Sequence, residues 1–183
     1  RYCLLSRGLG DVYKRQLDQW THAVADNLAD GERGGFLVWG DPGLFESTLA
    51  IVKKLIAAVD ADGGVPIELN VIPGISSSLS LASRHQIPLN RQGRALQISP
   101  ARLLVNGMPE GVDDVIVMLD GRQTFSLIDP TDIDIYWAAY IGTPDEILIS
   151  GDLAEVREEI RSARADAEKR LGWVFDTYLL RRR

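Results

Sequence analysis

The chain has 183 residues, 45% of them hydrophobic, with a formal net charge of −6. This length can bury one sizeable core or two small ones, and no apolar run approaches the length of a membrane-spanning helix. The negative charge argues mildly against a nucleic-acid partner, and we expect the one basic cluster, at residues 181–183, to be a solvated tail. The single cysteine, Cys3, fits a reducing compartment, so we expect a cytoplasmic protein. His22 and His85 are far apart and lack cysteine partners, so we expect no metal.

The first sixteen residues form a segment of their own. Residues 6–16 resemble the one-frame translation of a transposase adapter used for sequencing libraries, with eleven consecutive matches. We therefore expect residues 1–16 to be a non-native leader and exclude them from fold reasoning, so Cys3 then carries no information about the compartment. A short basic native leader is the alternative.

Residues 17–59 predict a helix, a strand and a second helix. Apolar residues at helical spacing over residues 17–28 predict the first helix. The four apolar residues 36–39 predict a buried strand, which the turn Gly40-Asp41-Pro42 ends. Apolar residues at three- and four-residue steps over 44–59 predict the second helix. In open α/β sheets, ligands bind at turns that follow strands in this way.

Residues 67–82 predict a second unit of the same design. Residues 67–72 alternate in polarity, which predicts a strand, and Pro73 and Gly74 end it. A helix is predicted from residue 75 to 82, and its serine side chains can cap free N–H groups. Two adjacent parallel strands with their polar turns at one edge would form one crevice.

The remainder of the chain predicts a mixed sheet with flanking helices. We expect a domain boundary near residues 86–95, which gives an N-terminal domain over 17–90 and a C-terminal domain over 91–183. The predicted strands of this part are 95–98, 115–119, 132–141, 146–150 and 173–179, with a short helix near 101–104 and a long helix over 152–171.

Two motifs carry a family resemblance. Gly40-Asp41-Pro42 alone is weak evidence, because Asp and Pro are ordinary turn formers. Together with the Pro-Gly-Ile-Ser-Ser motif at residues 73–77 it resembles the tetrapyrrole methylase family. These enzymes use S-adenosylmethionine, and the two motifs lie at the cleft between two α/β domains. The resemblance covers residues 17–182 and implies a two-domain α/β fold. The first domain would be incomplete, because the family's initial strand and glycine-rich loop are absent from this sequence.

Three further stretches, at residues 134–137, 140–151 and 176–182, select one branch of the family. That branch implies methylation of precorrin-5 at C-1 with release of acetate, in aerobic cobalamin synthesis. It also implies a small-molecule tetrapyrrole substrate and a homodimer. The expected contacts of S-adenosylmethionine are Gly40, Asp41, Pro42, Leu44, Ser76, Ser77, Met118, Tyr140, Gly142 and Thr143. For Met118, core packing is an equal alternative.

Methyl transfer from a sulfonium is an in-line displacement, for which alignment supplies much of the acceleration and no metal or covalent nucleophile is needed. Loss of the acetyl group needs a general base or a polarising donor. The available candidates are Asp41, Asp134, Tyr136 and His85, and spacing selects none of them. We favour a structural or surface role for His85.

Four arginines near the predicted boundary could hold the carboxylates of the substrate, or they could be ordinary solvated charges. They are Arg84, Arg91, Arg94 and Arg102.

Two alternatives to this methyltransferase remain. The chain could be an inactive fragment that serves only as a dimerisation or ligand-binding module. It could also be a methyltransferase of the same fold with another acceptor, such as a modified protein side chain or ribosomal RNA. The three branch-specific stretches and the acidity disfavour this last alternative.

Overall fold

A computed structural model describes Arg15, Gln19, Trp20, Ala29 and residues 31–183. The chain divides into two compact units, Arg1–Ser76 and Ser77–Arg183. The predicted leader and the predicted helix over residues 17–28 fall almost entirely outside the described residues. The division lies upstream of the predicted boundary between residues 90 and 91, and that domain boundary stays a prediction.

The first unit contains helix α1, Thr48–Ala61, which buries the apolar stripe of Ile51, Val52 and Leu55. The N-cap residue, Ser47, makes no side-chain cap hydrogen bond. Instead, Glu46 Oε1 accepts hydrogen bonds from the Thr48 amide at 3.0 Å and from the Thr48 hydroxyl at 2.7 Å. The predicted helix over 44–59 is confirmed, although it begins four residues later, because residues 41–44 form a turn.

The two strands predicted for the first unit are wrong. Residues 36–39 and 67–72 are irregular, and Leu37, Trp39 and Ile72 are exposed by 86%, 80% and 78%. An extended apolar segment becomes a strand only where a neighbouring segment pairs with its backbone N–H and C=O groups. No strand is present among the described residues of this unit, so the predicted pair of parallel strands is also wrong.

The second unit, which is described in full, is built on a five-stranded mixed sheet in the order β1-β2-β5-β3-β4. Strands β1 and β2 are parallel, and the other neighbours are antiparallel. The strands are β1 Leu96–Pro100, β2 Asp114–Met118, β3 Ile133–Ala139, β4 Ile147–Asp152 and β5 Asp176–Arg182. Each overlaps a predicted strand, and a short 3₁₀ helix, Ala101–Leu103, stands where a short helix is predicted.

Helices cover both faces of this sheet. Helix α2, Ser77–Arg84, packs Leu81 into a small cluster with Ile116, Ala138 and Leu179. Helix α3, Leu153–Leu171, packs against the larger cluster on the opposite face. That cluster includes Val115, Val117, Ile135, Trp137, Tyr178, Leu180 and, from α3, Leu153, Ile160 and Ala167. Successive residues of one strand point to opposite faces, so Ile116 and its two neighbours enter different clusters. The predicted mixed sheet with flanking helices is confirmed.

Helix α3 has a defined signal at each end. The Asp152 side chain accepts a hydrogen bond from the Ala154 amide at 2.8 Å, which satisfies one of the free N–H groups of the first turn. Gly172 follows the helix with a φ of 81°. Among the described residues, no helix is both long enough and apolar enough to cross a membrane.

The prediction that residues 181–183 form a solvated tail is wrong. Arg181 lies within β5 opposite Asp114 of β2, and both residues are buried. Its Nε donates to Asp114 Oδ1 at 2.7 Å. Arg183 donates from Nη1 to Asp134 at 2.9 Å and to Asp152 at 2.8 Å. Arg181 and Arg183 are therefore held by carboxylates of the neighbouring strands, and Arg182 donates from Nε to the Val112 carbonyl.

Candidate functional site

The turn after residue 39 is joined to the segment around Gly74 by the carboxylate of Asp41. Asp41 Oδ1 accepts from the Gly43 amide at 2.7 Å, and Oδ2 accepts from the Gly74 amide at 3.1 Å. Gly40 adopts a φ of 73°, which glycine tolerates without steric cost. A Cβ atom added at Gly74 would lie 2.0 Å from the Gly40 carbonyl oxygen. The two motifs therefore meet backbone to backbone within the first unit.

Five of the predicted cosubstrate contacts belong to this unit. They are Gly40, Asp41, Pro42, Leu44 and Ser76. Pro42 and Ser76 are buried, whereas Gly40 is exposed. The ideal Cβ position of Gly40 lies 3.8 Å from Ser76 Cα, so the exposed backbone of the turn runs beside the buried serine. Both carboxylate oxygens of Asp41 already accept backbone hydrogen bonds, which gives this side chain a clear role in holding the turn. Its catalytic role stays a prediction.

Three predicted contacts, Tyr140, Gly142 and Thr143, lie in the connection between β3 and β4, which we name the 140–146 turn. The Thr143 amide and hydroxyl both donate to the Tyr140 carbonyl, at 3.1 and 2.8 Å. Tyr140 and Gly142 adopt left-handed φ values of 50° and 79°. The Gly142 amide donates to Glu146 Oε2 at 2.8 Å. The three residues are thus brought together in one hydrogen-bonded turn.

The segment that precedes β5 holds Tyr140 at both its backbone and its side chain. The Tyr140 amide donates to the Phe175 carbonyl, and its hydroxyl donates to the Trp173 carbonyl, each at 2.9 Å. The rings of Tyr140 and Phe175 meet edge to face with 6.5 Å between centroids. Desolvation raises the pKa of Tyr140, so the phenol stays protonated and acts as a hydrogen-bond donor.

The two remaining predicted contacts, Ser77 and Met118, lie at element ends. Ser77 is the first residue of α2, and Met118 is the last residue of β2. Met118 is half-buried and packs against the cluster around Leu81. Core packing is therefore present for Met118, and contact with an adenosine group stays a prediction.

The catalytic candidates of the second unit lie on or beside β3. Asp134 pairs with Arg183, and the Tyr136 ring lies 5.6 Å below the guanidinium carbon of Arg181. His85 meets Tyr136 edge to face, and its Nε2 lies 3.1 Å from the Trp137 carbonyl oxygen. Burial lowers the pKa of His85, which favours a neutral ring that donates from Nε2 to this carbonyl. This geometry agrees with a structural role for His85.

Three of the four arginines expected near the substrate are paired with carboxylates of the same unit. Arg84 pairs with Glu146, Arg91 with Asp114 and Arg94 with Asp113. Arg102 is exposed and forms no ion pair within the described residues. A substrate carboxylate would therefore meet a free guanidinium at Arg102 and would compete with an existing partner at the other three.

A buried polar network beneath α3 is absent from the predictions made from sequence. Asp176 Oδ2 accepts from Arg164 Nε at 3.2 Å and from the Trp137 indole at 3.1 Å. Asp120 accepts from the Tyr178 hydroxyl at 2.7 Å and from the Thr124 amide at 2.6 Å. Burial is the largest cause that raises the pKa of Asp176 from 3.8 to about 6. The only sequence signal for such a network is that an acidic residue adjoins an apolar strand.

This arrangement can be compared with known proteins. The family model for Tetrapyrrole (Corrin/Porphyrin) Methylases matches residues 8–157. The match begins within the segment predicted to be a leader. A curated relative, the precorrin-6A synthase [deacetylating] of a Sinorhizobium species, is 41% identical over an aligned length of 181 residues, and the alignment covers 94% of this chain and 68% of the relative.

Solved structures show the same similarity. The cobalamin synthesis related protein CobF from Corynebacterium diphtheriae superposes with a TM-score of 0.83 at 28% identity, over 93% of this chain and 70% of that one. The methyltransferase CobJ, at 18% identity over 91% of this chain and 71% of its own, shares the fold with a TM-score of 0.60. A uroporphyrin-III C-methyl transferase from Thermus thermophilus, solved with S-adenosylhomocysteine, gives 0.52 at 22% identity over 93% of this chain and 72% of its own. This chain belongs to the tetrapyrrole methylase family.

Proposed function

We propose that the chain is a precorrin-6A synthase, an S-adenosylmethionine-dependent C-methyltransferase that acts on precorrin-5 at C-1 and releases acetate in aerobic cobalamin synthesis. The observation that carries this proposal is the 41% identity to the Sinorhizobium enzyme across 94% of this chain. The similarity to CobF, at a TM-score of 0.83, supports the same branch of the family.

S-adenosylmethionine is the proposed methyl donor, and its proposed contacts are the ten residues given above. Exposed glycine backbone in the left-handed region, at Gly40 and Gly142, allows close approach by a ligand. Ser77 and the first turn of α2 offer hydroxyl and N–H donors for a carboxylate. Thr143 adds a polar group at the 140–146 turn.

The methylation step needs the methyl donor and the ring carbon to be aligned, and it needs little chemistry from side chains. The methyl group leaves the sulfonium sulfur as the ring carbon attacks from the opposite side, so the C–S electron pair stays on sulfur and the carbon–carbon bond forms in the same step. This step requires no metal. The removal of the acetyl group requires a base or a polarising donor, and Asp41, Asp134 and Tyr136 remain the proposed candidates.

We propose a homodimer for the full-length protein, a cytoplasmic location, a small-molecule tetrapyrrole substrate, and neither a nucleic-acid nor a membrane partner. The acidic composition supports the exclusion of nucleic acid.

Two measurements test the function. Calorimetric titration of the chain with S-adenosylhomocysteine should release or absorb heat, and incubation with precorrin-5 and methyl-labelled S-adenosylmethionine should give one incorporated methyl group for each acetate. Absence of heat at millimolar ligand would favour an inactive fragment. Methylation of an unrelated acceptor, with neither labelled corrin nor acetate, would overturn the proposal.

A further inference from the structure

A carboxylate–guanidinium pair joins the end of α2 to the 140–146 turn. Arg84, the last residue of α2, donates from Nε to both carboxylate oxygens of Glu146, at 2.8 and 3.0 Å. Its Nη2 also donates to Glu146 Oε1. The same carboxylate accepts the Gly142 amide through Oε2 at 2.8 Å. Glu146 therefore links helix α2 directly to the backbone of the turn.

The turn needs such a link because its backbone conformation is unfavourable for one of its residues. Tyr140 carries a side chain and adopts a φ of 50°, and Gly142 follows with a φ of 79°. A residue with a side chain in the left-handed region persists only where surrounding contacts over-determine its conformation. A hydrogen bond from an amide to a carboxylate is shorter and stronger than one between neutral groups, so Glu146 is suited to this task.

The surroundings of Glu146 favour a fixed position over a mobile one. Its side chain is 11% exposed, whereas that of Arg84 is 55% exposed. The hydrogen bond from Arg84, followed by that from Gly142, lowers the pKa of Glu146, so the acid stays ionised at neutral pH. A largely buried carboxylate is stable only when its oxygens are satisfied, and this one is satisfied by a helix end and a turn amide.

The neighbouring acid provides a contrast within the same turn. Asp145 pairs with Arg170 of α3 at 3.2 Å, and both side chains are largely exposed. The Asp145 amide donates to the Thr143 hydroxyl and takes no part in the contact with Gly142. An exposed pair of this kind contributes little to stability.

We propose that Glu146, held by Arg84, is a positioning residue for the methyl donor. It fixes the 140–146 turn, so that Gly142 and Thr143 are presented in the conformation that binds S-adenosylmethionine. The pair then sets the affinity for the donor and leaves the methyl-transfer step itself largely unchanged. This inference rests on the proposed function, because it takes S-adenosylmethionine as the ligand of the turn.

Four variants of the full chain test the inference: Glu146→Ala, Glu146→Gln, Arg84→Met and the control Asp145→Ala. We expect Glu146→Ala to bind S-adenosylhomocysteine roughly tenfold more weakly, the change that loss of one hydrogen bond to a charged group typically produces. The KM for S-adenosylmethionine should rise by a similar factor, with kcat nearly unchanged. Glu146→Gln keeps an oxygen that can accept from Gly142, so it should recover part of the affinity.

Hydrogen exchange at the Gly142 amide gives a second readout that does not depend on any ligand. Exchange should accelerate in Glu146→Ala and, to a smaller extent, in Arg84→Met, and it should be unchanged in Asp145→Ala. Unchanged exchange and affinity in Glu146→Ala would overturn the inference, as would an equal loss of affinity in Asp145→Ala. A fall in kcat at constant KM would also overturn it.

The same experiment separates this inference from the proposed function. If the unmodified chain binds no S-adenosylhomocysteine, the proposed function fails together with the ligand assigned to the turn. If the unmodified chain binds and Glu146→Ala binds equally well, only the positioning role fails.

Discussion

Substitution of Gly74 by alanine tests whether the two motifs of the first unit meet as described. The added Cβ would lie 2.0 Å from the Gly40 carbonyl oxygen, 3.0 Å from its carbonyl carbon and 3.6 Å from Asp41 Cα. Since non-bonded heavy atoms prefer about 3.5 Å or more, the two backbone segments would have to separate by about 1.5 Å. The hydrogen bond from the Gly74 amide to Asp41, at 3.1 Å, would then exceed normal length.

The cost follows from these two effects. Overpacking against backbone costs about 1–3 kcal/mol, and the loss of a hydrogen bond to a charged group costs about 1.5–3 kcal/mol in a protected site and less in this exposed one. We therefore expect Gly74→Ala to lower the free energy of unfolding by about 2–4 kcal/mol. Urea denaturation followed by far-UV circular dichroism should show the midpoint falling by about 1–2 M at an m-value of about 2 kcal/mol/M.

Gly35 provides the matched control in the same unit. A Cβ at Gly35 meets no atom within 4 Å, and Gly35 is not among the glycines with positive φ. Gly35→Ala should leave the midpoint unchanged or raise it slightly, because alanine reduces the conformational freedom of the unfolded chain. Equal midpoints for Gly74→Ala and Gly35→Ala would refute the backbone contact between the two motifs.

Three further changes test the ion pairs, the buried network and the turn. Arg181→Met removes the nearest partner of buried Asp114, so it should lower the free energy of unfolding by about 3 kcal/mol in urea denaturation. The pKa of Asp176 rises from 3.8 to about 6 on folding, so the folded chain keeps this proton to higher pH and the contribution of Asp176 to stability falls as pH rises through this window. Denaturation should be repeated at several pH values. As the pH rises from 4 to 6, the free energy of unfolding of Asp176→Asn should increase by up to about 3 kcal/mol relative to that of the unmodified chain. Asp41→Ala loses two backbone contacts and should cost about 1–2 kcal/mol, while turnover falls by more than the unfolded fraction explains.

A specific result would contradict each of these expectations. The Arg183 side chain is 42% exposed. If Arg181→Met and Arg183→Met had equal midpoints, the basic residues would behave as a surface tail. A stability difference for Asp176→Asn that does not vary with pH would place the titration of this carboxyl outside the window. Equal losses of turnover and stability in Asp41→Ala would make Asp41 a structural residue only.

The second unit was predictable because its sequence patterns agree with its packing. Strand β3 alternates between buried and half-buried residues over its first four positions, which is the period that predicts a strand with one wetter face. The end of α3 could be anticipated from Gly172, whose positive φ needs no side-chain accommodation. The sheet order was not predictable, since nothing in residues 176–182 shows that β5 lies between β2 and β3.

The errors have a common physical origin, which is dependence on a partner distant in sequence. Residues 36–39 are apolar enough for a buried strand, yet no strand pairs with them within the described residues. Arg181 stands in a basic cluster, and only the register of β5 reveals that Asp114 faces it.

The candidate site also has a part that could be predicted from sequence and a part that could not. The resemblance identified the motifs at residues 40–42 and 73–77, and the contact between Asp41 and Gly74 joins them. The contacts of Glu146 with Arg84 and with one turn amide could not be predicted, because neither contact leaves a periodic pattern in the sequence.

The central place of β5 has a consequence for synthesis on the ribosome. Strand β5 follows the other four strands in chain order, yet it is the only link between the β1-β2 pair and the β3-β4 pair. Until residues 176–182 leave the exit tunnel, each pair presents an open edge and an unfilled apolar face. The nascent chain therefore carries two half-sheets that are vulnerable to wrong pairing, and the sheet closes in one late step.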